Sequence, residues 1–268
     1  MAMKIAVVQR KGGVGKTTIA AHLAAGLAAR GDNVLIIDTD PQGDAARVLD
    51  MQPEDCLFDW LTSDPKKTSA AEFIRPVSPD AYSNTDAPSR GHLYLMPSAS
   101  RTFAIPMLVQ SPMALSERIA AELDEVFNVI IIDTAPTLSM FDASVYMAGD
   151  AFLYVTECEA LSSAGLRDGL AQLKQYGNHR QTFGIGLPSG VMGIVPNKMR
   201  PGTRNHRANI AMMAEEHPGL VWKPISQRTL WSEAQNMGRL IWAYAPGSTE
   251  ANEADELVNQ AEAVLNVQ

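Results

Sequence analysis

The chain has 268 residues, 46% hydrophobic and 19% charged, the balance of a globular protein long enough to bury a sizeable core. Its net charge of −8 excludes a global basic field, so binding to DNA or anionic lipid needs a local patch. Two cysteines, Cys56 and Cys158, exclude a disulfide framework and any Cys-x-x-Cys metal or redox motif, and no apolar run approaches the roughly 20 residues of a membrane helix. With no secretory signal at Met1–Arg10, the expectation is a cytoplasmic protein without integral membrane contact.

Taken in chain order, Lys4–Gln9 is an apolar strand, followed by glycines and an Ala/Leu-rich helix over Lys16–Arg30 that Gly31 stops. Asn33–Asp38 is a second strand. Further strands are expected at His92–Met96, Asn128–Asp133, Ala151–Thr156, Val191–Pro196 and Val221–Ile225. Helices are expected at Pro112–Val126, Ser162–Tyr176, Thr203–Glu216 and Glu250–Val264. Continuous apolar strands alternating with helices predict an α/β fold: a doubly wound, mostly parallel sheet with helices on both faces, in one domain over residues 1–268. The Ser-, Pro- and Asp-rich stretch Asp64–Arg90 is expected to be a surface excursion with one or two short helices.

The strongest signal is Lys11-Gly12-Gly13-Val14-Gly15-Lys16-Thr17-Thr18, set between the first strand and the first helix. A helix start offers free N–H groups and partial positive charge, and glycines let the backbone curl around phosphates. Lys16 can reach the β- and γ-phosphates, and the Thr17 hydroxyl can meet Mg²⁺. Downstream, Leu35–Gly43 (LIIDTDPQG) ends a strand with Asp38 and Asp40, and Val129–Pro136 (VIIIDTAP) ends another with Asp133. Ligands of open α/β sheets gather at the strand C-termini, so these carboxylates share an edge with the loop. They suit Mg²⁺-bound water and an attacking water.

Lys11–Thr18 resembles the deviant Walker A motif, with its signature lysine, of the ParA/MinD family of ATPases. The general phosphate-loop pattern has glycine where Arg10 stands here. Asp38-Thr39-Asp40-Pro41-Gln42-Gly43 resembles that family's Walker A′ motif, and Asp133 its Walker B acid. Thr156–Leu166 and Ser232–Gly238 resemble ParA-type segments, so the likeness runs from Lys4 to about Gly238. The resemblance implies ATP and Mg²⁺ as cofactors, hydrolysis of that ATP, and a homodimer in which Lys11 reaches the partner's nucleotide. Asp40 is assigned to the attacking water and Asp38 to the metal's water shell, a division the spacing leaves open. Asp133 is expected to touch the metal through water, and Asn197, at a strand end, to contact adenine.

Among the jobs found in that family, ParA-like positioning fits best: an ATP dimer that binds DNA without sequence preference and is stimulated by an adaptor of ParB type or a cargo-specific equivalent. From Arg167 to Arg239 ten basic residues face four acidic ones, a balance of roughly +6 in an acidic protein. Lys198, Arg200, Arg204, Arg207, Lys223 and Arg228 are the candidate DNA contacts. Leu230 stands where many ParA proteins carry arginine. No DNA-reading domain is expected before the first strand, so operator binding is not. A MinD-like membrane tail is disfavoured because Glu250–Gln268 holds five acids and no Lys or Arg. Its Leu257, Ala261 and Val264 are expected to pack on the sheet. An iron–sulfur reductase is disfavoured because neither cysteine matches the ligand positions. An ATP-dependent biosynthetic ligase or kinase is the alternative of a different class.

Overall fold

The computed structural model describes every residue except 85–87, 137–139, 160–161, 183–189 and 267–268, and leaves aside the side chains of 140 and 162–164. Part of the Thr156–Leu166 segment therefore lies outside the described residues. Seven strands form one sheet: β1 Met3–Val8, β2 Asn33–Asp38, β3 Arg75–Pro76, β4 His92–Met96, β5 Val129–Asp133, β6 Ala151–Glu157 and β7 Gly190–Asn197. Their order is β3-β4-β2-β5-β1-β6-β7, and only β3 runs antiparallel. The helices are α1 Lys16–Arg30, α2 Asp44–Val48, α3 Cys56–Thr62, α4 Pro79–Tyr82, α5 Ile105–Leu108 and α6 Ala114–Glu122, then α7 Met140–Ala148, α8 Ser162–Thr182, α9 Arg204–Glu216, α10 Thr229–Asn236, α11 Ile241–Tyr244 and α12 Thr249–Leu265.

Strand alternation divides the core between the two faces of the sheet. Ile5, Val7, Val34, Ile36 and Ile131 pack with α1 on one side. Ala6, Val8, Leu35, Ile37, Ile130 and Ile132 pack with α3, α6 and α7 on the other. Because both faces are covered, the strands carry apolar residues at nearly every position, which is why they were legible as apolar runs. Both cysteines are free and buried.

Two expectations are corrected, and one strand is new. Val221–Ile225 is not a strand. It runs along the open edge of β7 through Ile194 N to Leu220 O, Trp222 N to Ile194 O and Ile225 N to Pro196 O. Pro224 has no N–H to extend a ladder, and Gly193 leaves room for Trp222: a Cβ there would lie 2.2 Å from the indole. The two-residue β3 was not anticipated, because a pair of residues ending in proline carries no strand signal. Finally, α12 packs chiefly on α1 rather than directly on the sheet. Gly26 makes the close approach possible, since a Cβ at that position would meet Val258 at 2.3 Å.

Candidate nucleotide site

The loop after β1 leads into α1, and the local sequence leaves that helix start bare. Gly15 takes the N-cap position with a left-handed backbone (φ 94°), no side chain caps the helix, and its first turn has no acid. The N–H groups that a serine or aspartate would otherwise satisfy stay free for an anion. Gly13 is also left-handed (φ 72°), and Gly12 passes Pro136 closely enough that a Cβ would touch its ring at 3.6 Å. The loop borders a cleft of about 460 Å³ lined by Lys16, Thr17, Thr18, Asp40, Asp44 and Gln235 among others.

The two lysines of the loop differ in kind. Lys16 is 6% exposed, and burial lowers its pKa against the opposing pull of Asp133, Asp40 and Asp142. Lys11 stands on the rim with its side chain 45% exposed and its ammonium on Glu157. The hydrogen bond from Lys11 to Glu157 is the main reason the Lys11 pKa is raised.

Register brings the acids together. Asp38 and Asp133 are direct neighbours on β2 and β5, so their carboxylates stand side by side on one face. Both are fully buried, and burial pushes both pKa values up, with Asp38 raised further by the charge of Asp133. Thr17 and Lys16 draw Asp133 the other way. Asp38 Oδ2 and both Asp133 oxygens lack a formed hydrogen bond. Such orphans are costly unless something meets them. Hard oxygen donors beside a threonine hydroxyl at a phosphate loop suit Mg²⁺, so the residues fit that ion. Asp40 lies half-exposed on the cleft wall, where its N–H donates to Asp38 Oδ1 (2.9 Å) and its own Oδ1 accepts from Gln42 N (3.0 Å).

Beside the phosphate cleft lies a second one of about 200 Å³, lined by Gly15, Asn197, Ser226, Gln227, Trp231 and Gln235 among others. Asn197 borders it, but its amide is occupied by the loop: Nδ2 donates to Val14 O at 2.7 Å and Oδ1 accepts from Lys198 N at 2.8 Å. A Cβ on Gly15 would come within 2.3 Å of that Nδ2. Gly15→Ala must therefore break a left-handed backbone and displace the Asn197 amide at once. We expect at least a tenfold loss of nucleotide affinity, about 1.4 kcal/mol or more, in a fluorescent-nucleotide titration.

His22 was not singled out by the sequence, since a lone histidine in an alanine-rich helix gives no signal. It is buried under the loop, its Nδ1–H donating to Thr18 O (2.7 Å) and its Nε2 accepting from Ile241 N (3.1 Å), between Trp231 and Trp242. The ring is neutral, and burial lowers its pKa to about 4. The unfolded chain takes up this proton first, so the stability it contributes is complete above about pH 6.5 and is lost as pH falls towards 4. The expected loss is about 3 kcal/mol, and the acid slope of urea midpoints should be shallower in His22→Gln.

The candidate DNA contacts differ in their surroundings. Arg204 and Arg207 are exposed on α9, and Arg200 is exposed with its Nε on Gln227. Lys223 pairs with Glu256 at 2.7 Å and Arg228 approaches Glu250 at 3.9 Å, so acids of α12 offset both. Lys198 sits at the phosphate loop instead, its ammonium on Gly13 O. Arg180, part of the basic excess, is buried against the carbonyls of Tyr146 (3.3 Å) and Gly149 (3.1 Å). Leu230 packs beside Ala234 and Ile241. No helix among the described residues is long and apolar enough to cross a membrane.

A bare helix start after β1, a buried lysine under the loop and paired acids at the neighbouring strand ends define a P-loop NTPase. Residues 2–183 match the family described as an AAA domain. The chain is 27% identical over 251 residues to the chromosome-partitioning ATPase Soj of Thermus thermophilus, covering 93% of this chain and 91% of Soj. Among solved structures, apo McdA from Cyanothece superposes with a TM-score of 0.78 at 20% identity, over 99% of this chain and 100% of McdA. The septum site-determining protein MinD of Pyrococcus horikoshii, solved with Mg-ADP, superposes with a TM-score of 0.74 at 20% identity, over 100% and 98% of the two chains. At these identities the two structures demonstrate the shared fold. The chain belongs to the ParA/MinD family of partition ATPases, and as an enzyme it is a P-loop ATPase.

Proposed function

We propose that this protein is an ATP-gated positioning switch: ATP and Mg²⁺ at Lys11–Thr18 join two copies face to face, the dimer binds DNA without sequence preference, and an adaptor of ParB type or a cargo-specific equivalent speeds hydrolysis and release. The observation that carries this reading is the contrast between the two loop lysines. Lys16 is buried and serves the phosphates of its own subunit, whereas Lys11 is exposed on the rim and free to turn outward once it leaves Glu157. A cation supplied by a second subunit stabilises charge on the transferring phosphoryl group as an arginine finger does.

Within each subunit the loop N–H groups hold the phosphates, and the smaller cleft bordered by Asn197 and Trp231 takes the base. Thr17, Asp38 and Asp133 would hold Mg²⁺, which when bound neutralises the β- and γ-phosphate oxygens. Asp40 orients the attacking water and accepts its proton. Hydrolysis removes the group that Lys11 reaches for, and the dimer parts.

The DNA face rests on Arg200, Arg204 and Arg207, doubled in the dimer to six phosphate contacts; Lys223 and Arg228 contribute less because acids of α12 face them. The ATP-bound form is then nucleoid-associated and the ADP form free in the cytoplasm. DNA titrations with ATP, ADP or no nucleotide across a salt series test this. Binding only with ATP, with a log–log salt slope of roughly −5, supports the reading. Binding in no state, or equal binding in all three, would remove DNA as the track.

A further inference from the structure

Two consecutive residues at the end of β7 reach back to two consecutive carbonyls of the phosphate loop. Asn197 donates to Val14 O at 2.7 Å, and the Lys198 ammonium donates to Gly13 O. Lys198 does so from a left-handed backbone (φ 55°), a conformation unfavourable for a lysine and shared among the non-glycine described residues only with Asp50. Its ammonium also lies 3.6 Å from Glu157 Oε1, the carboxylate that holds Lys11. The side chain borders both the phosphate cleft and the base cleft.

A loop that cradles phosphate turns its N–H groups inward, and each peptide that does so must turn its carbonyl outward. An outward carbonyl without a donor is free to flip, carrying the N–H of the next residue out of the cradle. The Gly13 carbonyl shares its peptide with the Val14 N–H, and the Val14 carbonyl shares its peptide with the Gly15 N–H. The Val14 carbonyl is pinned by Asn197, the last residue of β7, and the Gly13 carbonyl by Lys198, the residue after it.

We propose that Lys198 is a positioning residue of the nucleotide site: a strut on the Gly13 carbonyl that keeps the Val14 N–H turned towards phosphate, with Glu157 as its counter-charge. The proposal rests on the nucleotide reading of this loop and goes beyond it. It removes Lys198 from the DNA face and gives it a role that does not depend on the γ-phosphate. ATP and ADP therefore gain equally from it.

Lys198→Asn tests the strut, because asparagine accepts a left-handed backbone and is too short to reach Gly13 O. We expect ATP and ADP affinities to fall together, by roughly 10-fold, with the melting temperature of the nucleotide-free protein unchanged. Lys198→Arg, which restores a cationic donor, should regain most of the loss. In the nucleotide-free protein the Val14 amide should exchange with solvent roughly 10-fold faster in Lys198→Asn, while amides of β1 and β5 keep their rates. Unchanged nucleotide affinity and unchanged Val14 exchange would overturn the strut. So would a loss confined to ATP, which would make Lys198 a direct γ-phosphate contact, or a loss confined to the DNA salt slope, which would return it to the DNA face. If the wild-type protein binds no nucleotide, the functional reading fails, and Val14 exchange alone decides for or against the strut.

Discussion

Lys16→Ala should leave the protein folded and strip it of ATP. The ammonium is nearly buried, its pKa lowered by that burial and only partly restored by Asp133, Asp40 and Asp142. A cation held in this way costs the nucleotide-free protein stability, and phosphate repays the cost by supplying the missing opposite charge. Truncation of one partner in a buried, hydrogen-bonded charge pair costs about 2–5 kcal/mol, so ATP should bind roughly 30- to 5,000-fold more weakly. The nucleotide-free variant should melt no lower than the wild type. Isothermal titration with ATP and with ADP measures the first expectation, and differential scanning calorimetry the second. Undiminished ATP affinity would remove Lys16 from the site.

Asp40→Ala should have the opposite phenotype: ATP and dimer retained, turnover lost. Gln42 N loses its bond to Asp40 Oδ1 (3.0 Å) in alanine, but the rest of the backbone there is held without the carboxylate: the Asp40 N–H reaches Asp38 Oδ1, and its carbonyl accepts from Gly43 N (2.9 Å) and from the Ser98 hydroxyl. Alanine keeps those bonds and loses a half-exposed carboxylate on the cleft wall. If that group accepts the proton of the attacking water, kcat should fall about 10²- to 10⁴-fold while the ATP-bound dimer accumulates. Asp38 is a poorer candidate for this step. It is fully buried beside Asp133, and like-charged neighbours in a dry site suit a cation better than a mobile water. Normal turnover by Asp40→Ala, with turnover lost in Asp38→Ala, would reverse the assignment.

The readability of this chain followed the distance over which each signal extends. The loop was legible because all eight residues that shape it are contiguous and lie between a strand and a helix. The strands buried on both faces were legible as apolar runs, and β2 and α1 begin and end where the sequence places them. What failed was long-range. Val221–Ile225 has strand composition, but its place is set by the edge of β7 and the space that Gly193 leaves for Trp222. The apolar stripe of α12 was visible, whereas its partner α1 depends on the missing Cβ of Gly26.

The site shows the same division. That Asp38 and Asp133 share an edge could be inferred from strand polarity, but their direct pairing is a matter of register. Proximity along the chain groups Lys198 with nearby arginines. Its left-handed backbone sends the side chain to Gly13, a turn no spacing reveals. Glu157, which pairs with both Lys11 and Lys198, gave no sequence signal, since nothing in a strand-end glutamate announces two lysines from separate elements. A charge count likewise could not tell the buried Arg180 from the exposed Arg204 and Arg207.

If ATP joins two copies of this chain through Lys11, sedimentation of the purified protein with a non-hydrolysable ATP analogue and Mg²⁺ will show it. The mass should rise from the 29.0 kDa of one chain to twice that value with the analogue, stay at one chain with ADP, and stay at one chain with the analogue in Lys11→Ala. A single-chain mass with the analogue demonstrably bound, or a dimer that forms equally well without Lys11, would contradict it.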